Sequence, residues 1–99
     1  MKAVIKRPGS GPAVVDIPNT LKALQEAVGG YIETVTVFAD AVIICNEDGR
    51  LLSLPTNVRL FGIEFVGTIL IVGTDGEEFT DVPNEDAWLD ELDKKENMI

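Results

Sequence analysis

The stretch AVIICNEDGRLLSL, residues 41–54, decides how the rest of the chain is read. Its first six residues, AVIICN, are apolar almost without a break. An extended segment with that pattern buries both faces, as a central strand does. NEDG is turn chemistry, and RLLSL (50–54) then reads as the returning strand of a hairpin, closed by Pro55.

Working upstream, YIETVTVF (31–38) is β-branched and aromatic and predicts a strand, joined to the central one by a tight Ala39-Asp40 connection. Before it, Leu21, Leu24 and Val28 recur at helical spacing after Asn19 or Thr20 as cap, and Gly29 or Gly30 supplies the left-handed stop. KAVIKR (2–7) puts Ala3 and Ile5 on one face and Lys2, Val4 and Lys6 on the other. With AVVDI (13–17) it forms a hairpin around the PGSGP loop. Working downstream, PTNVRLFGIEFVG (55–67) reads as irregular or as a short helix. TILIVG (68–73) is another buried strand, ended by Thr74-Asp75-Gly76. PNEDAWLDELDKKENM (83–98) is helical, with Trp88, Leu89 and Leu92 as a narrow apolar stripe and Asp90–Lys94 and Glu91–Lys95 as i,i+4 pairs.

The order β-β-α-β-β-β-loop-β-α defines an α+β protein: a small, mostly antiparallel sheet, one central helix, and a C-terminal acidic helix packed on it. The 99 residues fit one domain over 1–99, an α+β body at 1–82 and an acidic helix at 83–99. Short apolar strands leave an exposed edge or face, so a homo-oligomer is expected, with any pocket near the subunit interface.

Charge is unevenly placed. Residues 1–74 hold 7 acids and 6 bases, and residues 75–99 hold 10 acids and 2 bases, giving the net −9. The acidic end repels duplex nucleic acid, while the near-neutral body leaves room for a small anion. The chain shows no apolar run of about 18 residues, so no membrane partner is expected. MKAVIKRPGSGP lacks the apolar core of an export signal, and the lone Cys45 cannot form an internal disulfide. Both point to a cytoplasmic protein.

The absence of histidine removes Ser-His-Asp and Cys-His catalysis and most zinc sites. No CxxC, GxxxxGK[ST] or GxGxxG is present, and the DGEE and EDG segments lack the alternating ligands of a calcium loop. No catalytic residue, metal or cofactor is expected, and the protein reads as a non-enzyme. Cys45 packs as a small hydrophobe. What remains is a set of anion-binding and stacking candidates. Arg50 and Arg59 offer planar forks for phosphate, or are a solvated strand residue and a partner for a nearby acid. Asn57 reads a base edge or caps a turn, and Asn46 belongs to the NEDG turn. Tyr31 stacks on a flat ligand or packs at the sheet edge. Lys6 and Arg7 precede the glycine-rich PGSGP, whose amides either cradle a phosphate or only close a hairpin.

Taken together, LKALQEAVGGYIE, the apolar strand into CNEDG, LPTN, and GTILIVG with its DGEEF sequel resemble the domain-of-unknown-function 3846 family over nearly the whole chain. The resemblance implies an origin in phages, plasmids or mobile elements and a bacterial host cytoplasm. It carries no established activity and no residue roles. Two mechanisms suit a small phage protein without catalytic groups. In one, it counters host defence by sequestering a nucleotide-derived immune signal, held by Arg50, Arg59, Asn57, Asn46, Tyr31, Lys6 and Arg7. In the other, it is an acidic inhibitor or DNA-like decoy whose partner is a host protein.

Overall fold

The consecutive apolar residues of AVIICN and ILIV need cover on both sides, and the fold supplies it. The computed structural model describes residues 1–96. In chain order it has β1 Lys2–Lys6, β2 Ala13–Asp16, α1 Leu21–Val28, β3 Ile32–Phe38, β4 Ala41–Asn46, β5 Thr56–Leu60, β6 Ile63–Val66, β7 Ile69–Asp75, β8 Glu78–Thr80 and α2 Glu85–Glu96. This is the α+β class expected from the sequence. The main sheet runs β2-β1-β7-β4-β3, with β8 also on β7, and every pairing is antiparallel. β4 and β7 are its centre, registered Ala41 to Gly73 and Ile44 to Leu70.

One face of the sheet carries Ala3, Ile5, Val42, Ile44, Leu70 and Val72 under Leu24 and Val28 of α1. The other carries Val4, Ile43, Cys45, Ile69 and Ile71 under Val58, Leu60 and Phe65 of the β5–β6 hairpin and Trp88 and Leu92 of α2. Ile43, Ile69 and Ile71 have no solvent contact, and burying each stabilises the fold by about 1.5–3 kcal/mol. No helix among the described residues is long and apolar enough to cross a membrane.

The local signals of α1 behave as expected. The Thr20 hydroxyl accepts from the Ala23 amide, and Gly29, at φ 79, closes the helix. The second glycine answers to space: a side chain on Gly30 would begin 2.9 Å from the Asn46 amide nitrogen. In α2, the acids come first and the lysines last, opposing the helix dipole. The Asp90 hydrogen bond and charge raise the Lys94 ammonium's pKa. Residues 97–99 of the expected helix lie outside the described residues.

Three expectations are corrected. RLLSL is no strand. Ser53 donates to Arg50 O (3.1 Å) and Leu54 to Gly49 O (3.0 Å), with Ser53 left-handed at φ 54. That is a Schellman closure of one helical turn, which satisfies the backbone locally and leaves Leu51 and Leu52 exposed. Residues 55–67 are neither irregular nor helical; they form the β5–β6 hairpin, paired Arg59 to Glu64 and Leu60 to Ile63. Its two-residue loop, Phe61-Gly62, has φ 52 and 76, the signature of a type I′ turn. Finally, β7 runs past Gly73 to Asp75 and turns through Gly76-Glu77 into β8.

Candidate functional site

Of the seven candidate residues, Lys6, Asn46 and Asn57 are taken up inside the fold. Lys6 has no solvent-exposed surface. Its ammonium donates to Arg7 O (3.0 Å) and Asn57 Oδ1 (3.0 Å) and pairs with Glu96 Oε2 (2.9 Å). That uses all three of its donors. Asn57 returns the contact: Nδ2 donates to Lys6 O (2.7 Å) and Gly67 O (2.7 Å). β1, β5, the Gly67 corner and the end of α2 are thereby tied at one buried point. Asn46 bridges α1 and the turn after β4, with Nδ2 donating to Val28 O (3.1 Å) and Oδ1 accepting from the Asp48 amide (2.8 Å). Among the described residues, no buried side-chain polar atom lacks a partner.

Arg50 and Arg59 are exposed and meet the same residue. Arg50 Nη2 donates to Glu64 O (2.7 Å), and Arg59 stands opposite Glu64 across the hairpin. Arg50 borders a cavity of about 330 Å³ whose other charged lining residues are Glu33, Glu47 and Glu64. Three carboxylates around one guanidinium repel a phosphate more than they attract it. Cys45 forms part of its floor. Burial first, and Glu33 second, push that thiol up to about 11, so it is protonated and inert at neutral pH. Tyr31 is 68% exposed at the head of β3, and Arg7 is exposed beyond β1. Among the described residues, no group of three acidic, cysteine or histidine side chains is placed to hold a metal ion.

A different set of residues does converge. β3 carries a bulge between Thr36 and Phe38. The extra residue turns Phe38 onto the α2 side of the sheet. The type I′ turn holds Phe61 over the same spot, and the apolar stripe of α2 brings Trp88 beneath. Ring centroids lie 5.7 Å apart for Phe38–Phe61, 5.8 Å for Phe38–Trp88 and 6.3 Å for Phe61–Trp88. The rings pack edge-on or tilted, the arrangement their quadrupoles favour. They border a groove of about 780 Å³ that continues over Ala39, Ala41, Pro83 and Ala87. Among the described residues, its charged lining residues are Asp40 and Glu91. Trp88 is buried, but Phe38 is 53% and Phe61 57% exposed.

The sequence held one signal for this groove: two alternating runs, TNVRL and IEFV, separated by two residues ending in glycine. Phenylalanine hid it, because a bulky residue at positive φ is an outlier where Asn-Gly is the usual pair.

Fold and surface define a small α+β protein with an antiparallel sheet covered on both faces and an acidic, aromatic groove at one end. The chain belongs to the domain-of-unknown-function 3846 family, whose model it matches over residues 1–94. No curated protein and no solved structure matches it.

Proposed function

We propose that this protein is a non-enzymatic binding module that captures a basic, apolar segment of a partner protein in the Phe38–Phe61–Trp88 groove. In the mobile-element setting that the family resemblance implies, the partner is a host protein, and the chain acts as its acidic inhibitor.

The observation that carries this reading is Phe61. A non-glycine residue in the left-handed region costs roughly 1–2 kcal/mol, and Phe61 adopts φ 52 while keeping more than half its surface in water. An asparagine there would relieve the turn. Strain retained beside an exposed aromatic pair marks a place where the side chain is needed for something other than folding. The groove offers about 780 Å³. Its carboxylates and ring faces suit arginine or lysine side chains, through charge and cation–π attraction, and no lining residue among those described is basic. Nucleotide capture has less behind it: Lys6, Asn46 and Asn57 have their polar groups engaged, and Arg50 stands among acids.

Selection from a randomised peptide library against the intact protein tests the reading. Enriched sequences should combine lysine or arginine with leucine, tryptophan or phenylalanine, and Phe61→Asn should weaken them at least tenfold. Enrichment of acidic peptides, or unchanged binding by Phe61→Asn, would overturn it.

A further inference from the structure

The two edges of the main sheet are treated differently by the sequence. β2 is four residues long and flanked by Pro12 and Pro18. Short length and proline are the usual ways to blunt an edge against strand pairing. β3 is seven residues long, contains no proline and no lysine, and carries Glu33 as its single charge. It ends the sheet, with β4 on one side and no strand among the described residues on the other.

Which backbone groups this edge offers follows from one contact. The Glu47 amide donates to Tyr31 O at 2.8 Å, and Ile32 stands opposite Asn46. Tyr31 and Glu47 are therefore a hydrogen-bonded pair. In an antiparallel ladder such pairs alternate with pairs whose amides and carbonyls face away. Glu33 and Val35 thus bond to β4, while Ile32, Thr34 and Thr36 present both backbone groups outward, before the bulge at residue 37 ends the regular stretch.

We infer that β3 pairs antiparallel with β3 of a second copy of this chain about a twofold axis at Thr34, making one continuous sheet across the dimer. This register sets Thr34 opposite the partner's Thr34 and Ile32 opposite the partner's Thr36, forming about six backbone hydrogen bonds. Glu33 faces the partner's Val35, so neither carboxylate sits directly opposite its own copy. The axis is perpendicular to the sheet and keeps the same face upward in both copies. The partner's Tyr31 therefore arrives opposite Val37, on the face that carries Phe38. A tyrosine whose exposed side chain makes no hydrogen bond among the described residues thereby extends the rim of the aromatic groove. The dimer itself stands on backbone geometry and does not require the groove to bind a peptide.

Sedimentation equilibrium across the micromolar range tests the pairing, with assembly as the readout rather than peptide binding. The wild type should be dimeric. Thr34→Lys sets like charges opposite each other, and Thr34→Pro removes an outward amide without touching the β4 ladder; each should be monomeric with unchanged circular dichroism. Thr34→Cys should give a covalent dimer under mild oxidation, since the native Cys45 is buried. A monomeric wild type, a Thr34→Lys protein that stays dimeric, or a Thr34→Cys dimer that does not cross-link would overturn the inference.

Discussion

Lys6 lies between Ile5 and Arg7 in a strand whose alternation points it away from Ala3 and Ile5. Alternation alone would leave it in solvent. It is buried because β5 and the end of α2 cover that face, and because Oδ1 of Asn57, 51 residues away, accepts a hydrogen bond from its ammonium. No local pattern announces a partner at that distance, which is why Lys6 and Asn57 read as ligand-binding candidates in the sequence. Replacing Asn57 with alanine removes one acceptor from a buried ammonium and a donor from two carbonyls. Unsatisfied groups of this kind cost about 1–3 kcal/mol each. Asn57→Ala should therefore lose on the order of 3 kcal/mol in urea unfolding; a loss below about 0.5 kcal/mol would mean the network is not holding the fold. Cys45 gives a second residue-level expectation. Its thiol ionises near 9.0 when unperturbed and at about 11 in the fold. Between those values the unfolded state has shed a proton that the native state keeps, so stability falls as pH rises through that window. The loss is on the order of 2 kcal/mol. Cys45→Ala lacks this component, so comparing the two proteins' unfolding at about pH 8 and about pH 10.5 isolates it.

At the scale of elements, strands with two buried faces and the helices with clear stripes were legible, because burial on both sides leaves an unbroken apolar run and burial on one side leaves a period. The segments between β4 and β7 were not. RLLSL has the apolar content of a strand, yet Gly49 and Ser53 let it close on itself, and a closed turn needs no neighbour. In the β5–β6 hairpin the backbone signal was present but carried by an unusual residue. Phe61→Asn tests that account of the turn. Relief of the left-handed strain, about 1–2 kcal/mol, opposes the loss of two aromatic contacts at about 0.5–1.5 kcal/mol each. The variant should unfold within about 1 kcal/mol of wild type. A loss beyond about 3 kcal/mol would place Phe61 in the core's service and remove the argument that its strain is kept for binding.

Across the whole molecule, the acidic end is not an appendage. α2 brings Trp88 and Leu92 to the core, Glu91 to the groove and Glu96 to Lys6. Its charge therefore stands beside the exposed aromatic rings, where it biases which partner can approach, and it does so more weakly as salt screens it. The sequence showed where the acids were, but not that the last helix lies against Phe38 and Phe61, since that proximity arises only from the bulge, the hairpin and the helix together. The most direct test uses the chain's single tryptophan, which sits in the groove itself. Trp88 emission is followed while a library-selected basic, apolar peptide is added, and separately while a mixture of cyclic and linear nucleotides is added. The account predicts a saturable change with the peptide, weakened by salt and lost in Phe61→Asn, and none with nucleotides. A silent Trp88 while the peptide binds elsewhere, or a saturable response to nucleotides alone, would contradict it.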